Sequence, residues 1–336
     1  MMEMKSHSAL KLGIICVLAA AILGGLAVAV LPHFGSGRPS VAQQSFSWPV
    51  MGTVAEFTMR ADGVTAERAQ KLAANAFRLV ETNLSVFVAD SAVSRLNKGE
   101  TIRLAPDSPL ANVARFARET ADASGGAFDP TVNPLMRAWG FRGGTPSVPS
   151  GTTLSNVLAS VGWRRLSIDN AASGETVISA GGAELDFGAI AKGFAVDLAY
   201  ERLVAGGFTD FLINLGGNIR VSGSPEPRRK EWNIAVRDPS GRRPPSPLPR
   251  PLHSGEAVAT SGSYERFVEI DGHRYSHIID PRTGIPVDNG LGSVSVIAPS
   301  AMMADAYSTT LFVLGREAGA AFLSAHPDCT AVFIGQ

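Results

Sequence analysis

Two segments of this 336-residue chain place oxygen and nitrogen groups at spacings that suit chemistry. In residues 304–310, Asp305, Ser308 and Thr309 stand at i, i+3 and i+4, so on a helix they share one face. One carboxylate and two hydroxyls form an all-oxygen set suited to a hard cation such as Mg²⁺. The alternative is that Asp305 caps a neighbouring helix while Ser308 and Thr309 bond back to helix carbonyls. In residues 186–197, Gly188 lets a strand turn sharply into a helix that begins at Ala189 and Ile190. The free N–H groups and positive end of such a helix suit a phosphate. Lys192, one turn in, adds a charge to a phosphate or pairs with Asp186. Carbonyl oxygens at such a turn also ligate metals, and Asp186 suits a ribose or ring hydroxyl.

Three more stretches belong with these. His277 ends a hairpin strand just before the Asp280-Pro281 turn. It either takes a proton from an attacking hydroxyl or is hydrogen-bonded beneath that turn. Residues 126–134 form a rigid loop with Asp129 and two prolines, whose backbone suits contact with a flat heterocycle. Met51-Gly52-Thr53 opens the folded part.

These groups need elements to hold them. Residues 64–84 read as an amphipathic helix with Leu72, Ala76, Leu79 and Val80 on one face. Ser108 and Pro109 start a second helix, which Gly125-Gly126 ends. Residues 181–187 read as a strand entering the 186–197 motif, and Ile190, Phe194 and Leu198 recur at four-residue spacing in the helix after it. Residues 208–214 and 292–298 read as buried strands, and Trp232, Ile234 and Val236 as a half-buried one. Asp271-Gly272 marks a hairpin between 264–270 and 273–279. Residues 238–254, rich in proline and arginine, read as an exposed loop, and Ser300 opens the helix that carries Asp305. Helices and strands do not alternate regularly, so the class is α+β rather than a doubly wound sheet.

With 30 basic and 30 acidic residues there is no basic bias of the kind nucleic-acid binders show. Residues 1–11 carry Lys5 and Lys11 ahead of an uninterrupted apolar run at 12–31, which fits a membrane anchor with its N-terminus in the cytoplasm. A cleaved signal is the alternative, since Ala27-Val28-Ala29 and Ser40-Val41-Ala42 offer small residues. Residues 32–45 read as a linker and 46–336 as the folded domain.

The ordered set of motifs resembles the ApbE family of FAD:protein FMN transferases. It comprises Met51-Gly-Thr, the 127–135 loop, the 186–197 turn, Asn214-Leu-Gly-Gly-Asn, Ala259-Thr-Ser-Gly, the 277–284 segment and Ala304-Asp-Ala-Tyr-Ser-Thr. The resemblance implies a two-lobed, T-fold-like α+β domain with mixed, largely antiparallel sheets. It implies FAD as substrate, Mg²⁺ as cofactor and transfer of FMN to a threonine or serine of a partner redox protein at the inner membrane, with the domain facing the periplasm. The family metal site matches the Ala189 carbonyl, Asp305 and Thr309, with Ser308 where some members carry aspartate. Flavin contacts match Met51, Phe87, Ala127, Phe128, Asp129, Asp186, Lys192 and Ile279, and Phe87 stands where relatives often have tyrosine. His277, as the base that takes the acceptor proton, and Asp305, as holder of the metal, are the candidate catalytic residues. FAD hydrolysis and flavin binding without chemistry remain the rival readings.

Overall fold

The apolar periodicities read from the sequence are realised over residues 42–336, which the computed structural model describes. The 12–31 run lies outside the described residues, among which no helix is long and apolar enough to cross a membrane. Strand β1 (Gln43–Val50) begins three residues before the domain boundary expected at residue 46, because it pairs residue for residue with β2 (Thr53–Arg60) back to Gln43↔Arg60. Met51 and Gly52 form the two-residue turn between them, both at positive φ (52° and 68°). Right-twisted strands favour that turn geometry, but methionine adopts it at a cost.

A seven-stranded antiparallel sheet is the frame. Its order is β1, β2, β3 (Phe211–Leu215), β4 (Asn218–Ser222), β5 (Ala257–Gly262), β8 (Leu291–Ala298) and β9 (Thr330–Gly335). Strand alternation splits the core. Phe211, Ile213 and Leu215 face the main cluster, while Leu212 faces a second cluster made with Trp232, Ile234, Val236, Leu248 and Leu252. The insertion between β4 and β5 thus covers one face of the sheet. Helices cover the other: α1 (Gly63–Leu84), α2 (Pro109–Ala123), α3 (Ala191–Ala205) and α4 (Ala301–Ser324). The hairpin β6 (Phe267–Ile270) and β7 (His273–Ser276) stands apart, its turn at Asp271-Gly272 as expected.

The helix starts follow from their caps. Asp62, Ser108 and Ser300 each accept a backbone N–H three residues on, and Pro109 sits in the first turn of α2. On α1 the buried stripe Ala66, Ala69, Ala73, Ala76, Phe77 and Val80 recurs at three- and four-residue steps. Helix α4 is broken at Gly315, whose φ of 75° and ψ of −175° lie in a region essentially reserved for glycine.

Two expectations are corrected. Residues 181–187 form no strand, although Ala183, Leu185, Asp186 and Phe187 are buried, because Gly181 and Gly182 take positive φ and the backbone finds other partners. The Asn97 side chain both donates to and accepts from Leu185, and Asp186 N–H donates to the Pro130 carbonyl at 2.7 Å. Helix α3 begins at Ala191, not Ala189, since Ile190 at φ −148° is still outside it.

Helices α3 and α4 touch at Gly193. A Cβ there would lie 2.2 Å from the Ala301 carbonyl oxygen and 2.8 Å from Asp305 Cβ. Both obstacles are fixed parts of α4, so Gly193→Ala should destabilise the fold by about 3 kcal/mol, the upper range for overpacking. Urea unfolding midpoints check this, and an unchanged midpoint contradicts the contact.

Candidate active site

Helix α3 starts without a side-chain cap of its own. Its Gly193 N–H, which in a regular first turn would donate to the Ala189 carbonyl, donates instead to Asp305 Oδ2 at 2.9 Å. The reverse also holds. Asp197 on α3 accepts from Ala301 N–H at 2.7 Å and Met302 N–H at 2.8 Å at the start of α4, and Arg220 completes that buried pair at 2.7 Å. Each helix therefore supplies the carboxylate that caps the other. Burial raises the Asp197 pKa, against the pull of Arg220 and the two N–H groups.

The capping alternative for Asp305 is thus what the geometry contains, and it leaves oxygens over. Asp305 is 4% exposed, and its Oδ1 faces Lys192 Nζ at 3.5 Å. The same ammonium donates to the Gly188 carbonyl at 3.2 Å. A cation is accordingly held between oxygens of the two distant motifs. Lys192 pairs with Asp305 rather than with Asp186.

The hydroxyls can be ordered by their single protons. Ser308 is fully buried and donates to the Asp305 carbonyl at 2.9 Å. Its contact with Ser261 Oγ at 2.8 Å must then be accepted, so Ser261 spends its proton there. The Ser261–Thr309 contact at 3.0 Å requires Thr309 to donate, which leaves the lone pairs of Thr309 Oγ1 open. Asp305 Oδ1, Thr309 Oγ1 and the Ala189 carbonyl freed by Gly193 are oxygen donors of the kind a hard divalent cation takes. Ser308 stands behind them as a support. Among the described residues there is no cluster of three or more His, Cys, Asp or Glu, so a cation here draws on one carboxylate and neutral oxygens.

Asp186 is committed elsewhere. Its carboxylate accepts from Gly188 N–H at 2.8 Å and from Arg142 Nε at 2.8 Å, with a second Arg142 nitrogen in contact. The Arg142 guanidinium lies 5.2 Å from the centroid of the Phe87 ring, which is 73% exposed and offers a free aromatic surface. Arg142 went unrecognised in the sequence because it follows Trp139-Gly140-Phe141 with no motif around it. Asp129 holds its own loop: Thr131 N–H and hydroxyl donate to Oδ1, and Trp163 N–H donates to Oδ2. Burial raises its pKa against those bonds. Ala127 and Phe128 are core residues, and Ile279 packs in a smaller cluster with Leu135 and Trp139.

His277 is pinned. Its Nδ1 is 3.0 Å from the Arg266 carbonyl oxygen, which can only accept, so Nδ1 carries the proton and Nε2 is the basic nitrogen. Arg266 in turn donates to the Gly52 carbonyl at 3.1 Å, which ties the Met51-Gly52 turn to the histidine. Crowding by protein lowers the His277 pKa to about 4, helped by the cations Arg266, Lys192 and Arg142. Glu265, not anticipated from the sequence, lies near Lys192 and Asp305. It keeps solvent contact, yet crowding pushes its carboxyl up to about 7; Lys192 opposes the rise and Asp305 reinforces it. Groups both hemmed in and wetted line an open cleft.

Scattered motifs thus converge on one cleft where a buried carboxylate, a lysine and a histidine of fixed tautomer meet, the layout of an enzyme. Residues 51–333 match the model of the ApbE family, and the chain belongs to that family. It is 35% identical to the FAD:protein FMN transferase of Treponema pallidum, over 92% of this chain and 90% of that one. It is 33% identical to the enzyme of the same name from Klebsiella pneumoniae, over 79% and 82%. Among solved structures, the apo form of Pseudomonas stutzeri flavinyl transferase ApbE aligns with a TM-score of 0.77 at 32% identity, over 90% of this chain and 93% of that one.

The two titrating groups should separate by pH. In metal-free protein the His277 ring resonances should stay constant from pH 8 to about 5, while a carboxyl titration near pH 7 disappears in Glu265→Gln. Glu265 holds its proton more tightly folded than unfolded, so its contribution to stability is full below about pH 4.5 and is lost as pH rises through about 7. Glu265→Gln should therefore raise the melting temperature at pH 8 relative to wild type more than at pH 5. A His277 titration centred above pH 6 would contradict the arrangement.

Proposed function

We propose that this chain is an FAD:protein FMN transferase: it moves the FMN part of FAD onto a threonine or serine hydroxyl of a partner protein and releases AMP. The observation that carries this reading is the meeting of Asp305 with the 186–197 turn, through Gly193 N–H at 2.9 Å and Lys192 at 3.5 Å, in a chain matching the family model over residues 51–333.

Asp305, Thr309 and the Ala189 carbonyl would hold Mg²⁺, which neutralises diphosphate charge when bound. Lys192 adds a cation at the same place. Phe87 offers its open face to the flavin ring, with Arg142 fixed beside it by Asp186. By the family resemblance, Met51 and residues 127–129 would also border the flavin, and Ile279, packed with Leu135 and Trp139, would steady the segment that bears His277. The acceptor hydroxyl attacks the FMN-side phosphorus, and the bond from that phosphorus to the bridging oxygen breaks. AMP leaves with that oxygen, and the hydroxyl proton passes to His277 Nε2. An approaching diphosphate offsets Arg266, Lys192 and Arg142, raising the basicity of His277 from its low free value when it is needed.

The rest of the reading concerns place. Residues 12–31 would anchor the chain in the cytoplasmic membrane, with a two-lobed domain over 46–336 on the periplasmic or outer side and a redox protein of that compartment as acceptor. The N-terminal run and the paired basic and acidic totals agree with this and with no nucleic-acid role.

Incubation with FAD, Mg²⁺ and an acceptor protein should give flavin fluorescence on the acceptor band of a denaturing gel. AMP without labelled protein would make the chain a hydrolase, and no product a binder. Asp305→Asn keeps an oxygen for Gly193 N–H but loses the charge, so transfer should fall by about 10³-fold in protein that still folds, with a lower melting temperature from the lost helix-end charge. For His277→Gln, kcat should fall by about 10²–10⁴-fold while FAD binding persists. Full activity in either variant removes that residue from its role.

A further inference from the structure

The insertion between β4 and β5 does more than cover the sheet. Six basic residues fall between Arg228 and Arg243, against two acids, in a chain whose totals balance at 30 and 30. Both acids are engaged: Glu231 faces His253 at 3.7 Å, and Asp238 accepts from the Ser240 hydroxyl and from the backbone N–H groups of Arg242 and Arg243, each at 3.2 Å. Among the described residues none of the six cations has a carboxylate within ion-pair distance, and Arg237, Arg242 and Arg243 are all exposed.

Three contacts put this turn beside the cleft. The Arg237 guanidinium lies 5.7 Å from the centroid of the Tyr264 ring, next to Glu265. Pro239 packs so closely on Gly292 that a Cβ there would lie 2.5 Å from it. The Gly292 carbonyl accepts from Ser263 N–H at 3.0 Å, the residue before Tyr264. The turn is also built to stay in place: Asp238 gathers three donors, Gly241 takes a φ of 67°, and Pro239, Pro244 and Pro245 flank the arginines. A rigid display of unpaired charge loses little freedom on binding.

We propose that Arg237, Arg242 and Arg243 form a docking rim for an acidic segment of the acceptor protein, holding carboxylates near the hydroxyl that receives the flavin phosphate. This rests on the transferase reading for the identity of the partner. Solvation alone would not require the turn to be locked onto the cleft wall. An anionic lipid surface is the competing occupant and is an outcome of the test.

The probe is a labelled peptide with one threonine flanked by aspartates, and its twin with asparagines, titrated into the full chain by fluorescence anisotropy. The acidic peptide should bind on the order of tenfold more tightly than its twin at low salt, and that advantage should shrink by 0.3 M salt. Arg237→Gln/Arg242→Gln/Arg243→Gln should lose it, whereas Arg228→Gln/Arg229→Gln/Lys230→Gln, which removes equal charge, should keep it. Equal binding of the two peptides, equal loss in both triple variants, or a rim variant that loses only its binding to phosphatidylserine vesicles would each overturn the proposal. Flavin-fluorescence quenching by added protein, measured on every variant, shows that each is folded, and flavin fluorescence on an acceptor protein in a denaturing gel after incubation of wild type with FAD and Mg²⁺ judges the transferase reading separately.

Discussion

The reciprocal capping of α3 and α4 is the constraint on which the rest depends. Gly193 and Asp197 are one turn apart on α3, and Ala301 and Asp305 are one turn apart on α4. Each pair offers a backbone N–H and a carboxylate, and the two pairs meet crosswise. The helices approach this closely because residue 193 has no side chain. Both positive helix ends are then satisfied by buried negative charge, an arrangement that is strongly cohesive when intact and costly when half removed. The bond from Gly193 to Asp305 also displaces the one that would have used the Ala189 carbonyl. Structural cohesion and an open oxygen therefore come from the same hydrogen bond.

Charge is graded across the cleft in a way that assigns tasks. Crowding by protein keeps His277 neutral, and the cations Arg266, Lys192 and Arg142 push the same way. Glu265 moves the other way because protein crowds it, with Lys192 opposing the rise and Asp305 adding to it. Neighbouring groups driven to opposite protonation preferences are a mark of functional sites rather than of cores. The Met51 backbone, held at positive φ and tied through Gly52 to Arg266, shows the same willingness to carry local cost.

Much of this was legible from residue spacing. The amphipathic helix α1, with Ala76 and Val80 on its buried face, the Ser108-Pro109 start, the Asp271-Gly272 hairpin and the shared face of Asp305 and Thr309 are all local patterns, and local patterns are what a sequence displays. The alanines that make up most of the α1 stripe, in place of Leu72 and Leu79, did not stand out. What escaped is nonlocal. Arg142 meets Asp186 across 44 positions, and Asn97 replaces a strand partner for Leu185 across 88. Residues 181–187 looked like a strand leading into the 186–197 turn, yet two left-handed glycines and side-chain bonds satisfy the backbone without a neighbour strand. Helix α3 was expected two residues early because its cap comes from another helix, which no local signature records. Glu265 looked like one more polar residue in a hairpin until Asp305 and Lys192 were found alongside.

The break at Gly315 has a consequence for how this fold can vary. The backbone there takes a conformation that side chains other than hydrogen all but forbid, so the long C-terminal helix is two rods joined by one obligatory residue. The first rod carries Asp305 and Thr309 and is clamped to α3; the second, beyond the joint, packs with Phe322 near Tyr307 and His326. A change in the direction of the second rod can then be absorbed at the joint without rotating the carboxylate, so long as Phe322 still meets Tyr307 and β9 still pairs with β8.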